Sequence, residues 1–312
     1  MNTVDSDCIC RTLSRQAKAL GSVRVAVVHP CDSASLGGAL DAHQAGLIEP
    51  LLVGPKSKLQ SLAEENDFNL VGIEIIDAPH SHAGADYAVT LAAKGEVQAL
   101  MKGSLHTDEL ISAVLKSQSG ALRTKRRLSH CFVLQTPAYP RPFIVTDAAI
   151  NLAPDLEQKA DIVRNAITLA HAIGIACPKV AILAAVETIN PAMPATLDAA
   201  ALCKMAERGQ IEGAQLDGPL AFDNAVSLAA AQSKGISSQV AGQADILLAP
   251  DLESANMLAK QLMFMGNASG AGMVLGAKVP IMLTSRADSR KSRMASCALA
   301  LLLAQHFRNT PP

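Results

Sequence analysis

Val97-Gln-Ala-Leu-Met101 runs directly into Lys102-Gly-Ser-Leu-His106, and Thr107-Asp-Glu-Leu-Ile-Ser-Ala-Val-Leu-Lys116 follows. The apolar run is short and closed by a glycine, which reads as a buried strand. Gly103 allows a tight turn, and Thr107 to Lys116 reads as a helix with Thr107 as its N-cap. Strand, glycine turn and helix in succession form the repeating unit of an α/β protein. The N–H groups at such a helix start can hold an anion, and Ser104, His106 and Thr107 add donors beside them.

The same alternation extends to both sides. Upstream, Ile9, Leu13, Ala17 and Leu20 have helical spacing, and Val23–Val28 is a β-branched run closing at His29-Pro30. Helices are predicted over 34–45, 57–66 and 83–94, with strands at Leu51–Val53 and Ile73–Ile76 between them. Downstream lie a polar, basic loop over 117–128 and strands at Cys131–Leu134 and Phe143–Val145. Helices follow over 156–173, 195–208, roughly 222–232 and 254–265. Strands are expected at Val180–Val186, Ile211–Leu216, Ile246–Leu248 and 279–283, and a last helix over about 289–307. Strands this apolar are buried on both faces, which predicts a parallel sheet covered by helices. A boundary between two α/β domains is expected near Thr146 to Pro154, where Asp147, Asn151 and Pro154 follow a strand end.

Composition narrows the function. Of 312 residues, 49% are hydrophobic and only 3% aromatic, so helices rich in alanine can lie close on the sheet. The formal net charge is −1, from 27 basic and 28 acidic residues. Such a chain has no global field to attract nucleic acid or a membrane surface. Anion binding must come from local clusters, and there are two: Arg123-Thr-Lys-Arg-Arg127, and Arg286 through Arg290, Lys291 and Arg293. The seven cysteines are scattered, without the two-residue gap of a zinc or thioredoxin-type site. Cys131, Cys177 and Cys297 read as small core residues, and the chain is expected to work in the reducing cytoplasm. No apolar signal core opens the chain, and no apolar stretch is long enough to span a membrane. The histidines are dispersed without metal spacing, so no metal site is expected.

Four further stretches bear on chemistry. Thr284-Ser-Arg-Ala-Asp-Ser289 ends a short apolar run and crowds hydroxyls, a guanidinium and a carboxylate into six positions. Ligands of α/β proteins bind at the carboxyl ends of strands, and an arginine there suits a phosphate or carboxylate because its planar fork donates in pairs. Asp217-Gly-Pro-Leu-Ala-Phe-Asp223 reads as a strand end with a sharp exit. Asp217 is placed to orient a substrate or to shape the turn, and Asp223 to cap or begin the next helix. Arg123 to Arg127 suits either nucleotide phosphates or a solvated loop. Gly266 to Gly276, with Gly270 and Gly272, does not open a helix after a strand, so it is no dinucleotide fingerprint. Close backbone approach to a neighbouring helix or a ligand is the reading it supports.

Taken in order, Lys102-Gly-Ser-Leu-His-Thr107, Asp217-Gly-Pro-Leu-Ala-Phe-Asp223, Gly270-Ala-Gly272 and Thr284-Ser-Arg-Ala-Asp-Ser289 resemble the phosphate acetyl/butyryl transferase family. The resemblance covers nearly the whole chain. It implies exchange of a short acyl group between coenzyme A and phosphate in a ternary complex. It also implies two α/β domains of the isocitrate/isopropylmalate dehydrogenase kind with the active site in the cleft, and a homodimer. Residues 1–145 with 277–312 would form one domain and 146–276 the other. Coenzyme A would be a co-substrate, with no permanently bound cofactor.

By the same resemblance Ser285, Arg286 and Asp288 are the catalytic candidates. Lys102, Gly103, Ser104, His106, Thr107, Asp217, Asp223 and Ser289 are candidates for substrate binding, and Arg123, Arg127, Gly270 and Gly272 for coenzyme A. The acetyl branch has an aspartate six positions after the Ser-Arg arginine; Ser292 stands there, which makes Asp288 the substitute base. It also carries an arginine in the helix after the glycine turn; Leu110 to Leu115 has none, so the Arg123–Arg127 cluster is expected to serve. Ser-Arg-Ala-Asp-Ser is similar to the butyryl branch. Two other functions fit a two-domain α/β chain: a metal- and NAD(P)-dependent 2-hydroxy acid dehydrogenase, and a non-catalytic protein that binds acyl phosphate or another solute.

Overall fold

The computed structural model describes residues 8–116, 122–283 and 288–312. They form two compact units, residues 10–126 with 271–312 and residues 127–270 with the described residues before Cys10. The chain opens with α1 (Cys8–Lys18), β1 (Val23–Val28), α2 (Ser33–Gln44), β2 (Ile48–Gly54), α3 (Lys56–Glu65), β3 (Glu74–Asp77), α4 (Ser81–Ala93), β4 (Ala99–Lys102) and α5 (Thr107–Leu115). Residues 127–270 then supply β5 (Ser129–Gln135), β6 (Phe143–Thr146), α6 (Leu156–Ala172), β7 (Lys179–Leu183), α7 (Pro194–Glu207), β8 (Gln215–Leu220), α8 (Phe222–Val226), α9 (Leu228–Ser233), β9 (Ile246–Leu248) and α10 (Leu252–Phe264). The chain returns to the first unit through β10 (Ser269–Leu275), β11 (Ile281–Met282) and α11 (Arg290–Asn309).

In the first unit the strand order is β3-β2-β1-β4-β11-β10. All neighbours are parallel except β10 and β11, which are antiparallel. Val25, Ala26, Val27 and Val28 of β1 are fully buried, as expected for a central strand covered on both faces. From β1 the chain steps outward to β2 and β3, then returns through α4 to β4 on the other side of β1. That reversal opens a crevice at the carboxyl ends of β1 and β4, the place where open parallel sheets take ligands.

The second unit has the order β5-β6-β9-β7-β8. β5 and β6 are an antiparallel hairpin, and β6, β9, β7 and β8 run parallel. Its core joins Leu134, Val145, Leu183, Leu247 and Ala255. The Tyr139 hydroxyl donates to the Ala244 carbonyl at 2.8 Å, so its polar tip is satisfied inside that core.

Several elements differ from the sequence expectation. The sheets are mostly rather than wholly parallel. Residues 266–276 contain β10, a strand hidden by its glycines, which lack the side chains on which a strand pattern is read. The strand expected at Ile211–Leu216 lies at Gln215–Leu220, so Asp217-Gly218-Pro219 is inside an edge strand and not beyond its end. Proline is tolerated there because an edge strand has one unpaired side. β7 stops at Leu183, short of Val186. The hairpin of β5 and β6 belongs to the second unit, so the division falls at Arg126 and Arg127. Cys131 and Cys297 are buried as expected, but Cys177 is exposed. Among the described residues no helix is long and apolar enough to cross a membrane.

Candidate active site

The junction of β1 and β4 is built on a glycine that no other residue could replace. A Cβ at Gly103 would lie 2.4 Å from the Val28 carbonyl oxygen and 2.6 Å from that of His29. The close approach is locked by hydrogen bonds, Gly103 N–H to the Val28 carbonyl at 2.8 Å and Ser104 N–H to the His29 carbonyl at 2.9 Å. Those two N–H groups are therefore committed to the fold and are not anion donors. The Ser104 hydroxyl donates to the His29 carbonyl at 3.0 Å and accepts from the Cys31 N–H at 3.1 Å, lacing the two strand ends together. Lys102 Nζ folds back onto the carbonyls of Gly103 and Leu105, at 3.2 and 3.0 Å.

His106, not Thr107, is the N-cap of α5, and Thr107 is its first helical residue. The His106 N–H donates to Glu109 at 3.2 Å, so the turn closes on its own helix. Glu109 also accepts from Ser81, and these contacts hold its pKa below the usual carboxylate range. His29 takes a positive φ of 51° at the end of β1, an uncommon conformation for a residue with a Cβ. Its Nδ1 is buried without a hydrogen-bond partner among the described residues. Burial, then the Lys58 charge, push its pKa down, so the ring is neutral near pH 7.

The second arm of the site is β11. It pairs parallel to β4, with Met282 beside Met101, so both strands end on the same side. Ser285 and Arg286 lie outside the described residues, as do Thr284 and Ala287; Asp288 and Ser289 resume the chain. Ser289 is the N-cap of α11, and its oxygen accepts from the Ser292 N–H at 3.1 Å. The first turn of α11 has no acidic residue but carries Arg290, Lys291 and Arg293. Cations at a helix N-terminus oppose the helix dipole, so other contacts must hold them. Arg290 grips Asp41 of α2 with two bonds, 2.6 and 2.7 Å. Arg293 Nη1 donates to the Asp288 carbonyl at 2.6 Å. Its stem lies over α2 where a Cβ at Gly38 would meet Nε at 3.1 Å, and that Nε is buried without a hydrogen-bond partner among the described residues. Arg293 thus holds the chain at Asp288, just before α11.

The remaining candidates fall elsewhere. In the second unit Asp217 accepts from the Gly218 N–H at 2.8 Å. Asp223 sits in the first turn of α8, after the N-cap Ala221, 3.9 Å from Lys234. The basic run divides: Arg123 bridges to Ala277 in the first unit, while Arg127 donates through Nε to Asn151 in the second. Gly270 is needed where β10 meets β5, since a Cβ would lie 2.0 Å from the Val133 carbonyl oxygen. Gly272 N–H faces the Ser296 hydroxyl at 3.3 Å. Each glycine thus serves close backbone packing, against a strand at Gly270 and a helix at Gly272. Among the described residues no three His, Cys, Asp or Glu side chains converge as metal ligands. Sequence reading placed Arg293 only in a basic cluster and missed Asp41 and Gly38, since their meeting depends on the tertiary contact of α11 with α2.

A mostly parallel sheet with helices on its faces and a crevice at the carboxyl ends of β1 and β4 defines an α/β protein of the kind that takes ligands at its strand ends. Residues 82–301 match the family described as phosphate acetyl/butaryl transferase, and the chain belongs to that family. It is 58% identical over 282 residues to a phosphate acetyltransferase of Rhizobium meliloti, covering 90% of this chain and 89% of that protein. It is 42% identical over 289 residues to a phosphate butyryltransferase of Clostridium acetobutylicum, covering 93% and 95%. A branched-chain phosphotransacylase from Enterococcus faecalis superposes with a TM-score of 0.80 at 31% identity, over 91% of this chain and 99% of that one. Identity over the whole chain is thus higher to this acetyl-named relative than to the butyryl-named one, although the Ser-Arg-Ala-Asp-Ser wording pointed to the butyryl branch. Membership of a transferase family decides against the dehydrogenase and the non-catalytic binding protein.

Proposed function

We propose that this phosphate acyltransferase works by direct attack of the coenzyme A thiolate on the carbonyl of an acyl phosphate, both substrates being bound together. The C–S bond forms as the C–O bond to phosphate breaks, and the reverse direction uses the same groups. Ionising a thiol of pKa ~8.5 at pH 7 costs only about 2 kcal/mol. Each well-placed donor to the carbonyl oxygen or the departing phosphate contributes roughly 3 to 4 kcal/mol. Arg286 is therefore assigned the largest share, with Ser285 beside it and Asp288 as the base for the thiol.

The observation that carries this reading is the pairing of β11 with β4, which brings the chain leading into Ser285-Arg286 alongside the Gly103-Ser104 turn. In this reading Gly103 and Ser104 position the crevice. Lys102, His106, Thr107 and Ser289 shape its rim, and Asp217 and Asp223 hold the corner of β8 and α8. Arg123 is assigned to a phosphate of coenzyme A, and Arg127, held by Asn151, to the second unit's own packing. The enzyme is further proposed to be a cytoplasmic homodimer without a permanently bound cofactor, its dimeric mass to be read by light scattering.

The test is thiol release from acetyl-, propanoyl- and butyryl-coenzyme A with and without phosphate. Release that depends on phosphate is expected, and the ratio of kcat/KM values reports acyl preference; one methylene shifts it by ~1 to 3 kcal/mol. Release that is indifferent to phosphate would refute the transfer.

A further inference from the structure

We infer that Lys58 is a further side-chain cation for the phosphate substrate, one that binds it at the junction of β1 and β4. The inference rests on the acyl-transfer reading and adds to it a residue that no motif in the sequence marks. A depression of about 500 Å³ opens at the carboxyl end of β1, and His29, Cys31, Asp32, Lys58 and Ser104 contribute to its wall. Ser104 is the residue whose hydroxyl laces the two strand ends, so the depression adjoins the glycine turn.

A phosphate dianion in such a place needs a cation, and the starts of α2 and α5 do not offer one. The first turn of α5 carries Asp108 and Glu109 and no basic residue. The Asp32 carboxylate caps α2 by accepting from the Ser35 N–H at 2.8 Å. Among the described residues lining the depression, Lys58 alone has an ammonium or guanidinium group. It stands in the first turn of α3, where there is no acidic residue, and no described residue forms a hydrogen bond or salt bridge with it. Asp77, the nearest strand-end carboxylate on β3, accepts instead from the Lys56 N–H at 2.9 Å. The ammonium is close enough to act on both His29 and Cys31: it adds to the lowering that burial gives the His29 ring, and it opposes the rise that burial gives the Cys31 thiol. The neutral His29 ring and the N-terminus of α2 complete a wall compatible with an anion.

Two phosphate sources share this chemistry, inorganic phosphate with acyl phosphate on one side and the phosphates of coenzyme A on the other. We assign Lys58 to the first, because the depression adjoins the turn where acyl transfer is placed. The experiment is initial-rate kinetics of Lys58→Met and Lys58→Arg, with phosphate varied at saturating acyl-coenzyme A and the converse. Lys58→Met is expected to raise KM for phosphate at least about tenfold, leaving KM for acyl-coenzyme A and the melting temperature unchanged. Lys58→Arg should recover most of the loss. An unchanged KM for phosphate overturns the inference, and so does a rise confined to acyl-coenzyme A. The two readings fail separately. If the wild type releases thiol only with phosphate while Lys58→Met behaves normally, the transfer stands and the lysine assignment falls.

Discussion

Gly103 and Gly218 look alike in sequence, since each follows a charged residue, Lys102 or Asp217, at an expected strand end. The structure makes them opposites. Gly103 sits past the end of a central strand, where a Cβ would strike two backbone carbonyls of β1 at 2.4 and 2.6 Å. Gly218 lies inside the edge strand β8, where a Cβ would meet Ile182 of the neighbouring strand at 2.8 Å and Ala199 of α7 at 3.2 Å. One glycine brings the ends of two strands together; the other lets a helix and a strand pack. A glycine after a charged residue at a strand end marks close approach, and only the strand order says whether a crevice lies there.

The comparison can be broken by substitution. Gly103→Ala must push the ends of β1 and β4 apart, so we expect kcat/KM to fall at least about a hundredfold, with a stability loss of ~1 to 3 kcal/mol. Gly218→Ala should lose similar stability but keep kcat/KM within about threefold, a change under ~1 kcal/mol in barrier. Equal catalytic losses in the two variants, measured by thiol release beside chemical unfolding, would erase the distinction.

Arg293→Met sharpens it from the other arm. With the Asp288 carbonyl released, kcat should fall about tenfold, which corresponds to ~1.4 kcal/mol, while KM for acyl-coenzyme A changes little. Asp41→Asn should do much less, because its partner Arg290 is 68% exposed and exposed ion pairs contribute ~0 to 1 kcal/mol. If Asp41→Asn proves the worse variant, Arg290 and not Arg293 anchors the segment.

In the second unit the smallest effect on catalysis is expected, and the change falls on stability alone. His130 is buried, and burial pushes its pKa from 6.5 down to about 4. Between those values the unfolded chain binds the extra proton, so stability rises with pH and is lost on acidification from pH 6.5 towards 4. The full linkage is roughly 3 kcal/mol. Asp147, whose carboxylate accepts from the His130 N–H, has its pKa raised by burial and opposes the slope at its acid end. His130→Leu should flatten the urea midpoint across pH 6.5 to 4.5, followed by circular dichroism. An unchanged slope would mean the ring is not the titrating group.

Much of this was legible in the chain. β1, β2, β4 and β9 are built around short buried apolar runs that end near a glycine or proline, and such patterns mark where strands lie. β10 was not legible, because Gly270 and Gly272 are there for backbone approach and leave no alternating side chains. β8 was displaced because Gly-Pro reads as an exit, whereas an edge strand can hold it. The motif residues Gly103, Ser104, Ser285 and Arg286 were visible as strand-end clusters. Their supports were not. Arg293 over Gly38 and Arg290 on Asp41 are meetings of helices far apart in sequence, and Lys58 joins His29 at one depression across a helix and a strand end, all set by tertiary packing. The hydroxyl of Ser104 shows a further limit: its residue type suggested an anion donor, and its hydrogen bonds make it a tie between loops.

The claim on which the rest depends is that the Arg286 guanidinium carries the charge of the departing phosphate. Steady-state thiol release by Arg286→Ala, alongside its melting temperature, tests it most directly. The account predicts turnover reduced at least about a hundredfold in a protein that melts like the wild type. Turnover within a few-fold of wild type in the folded variant would contradict it.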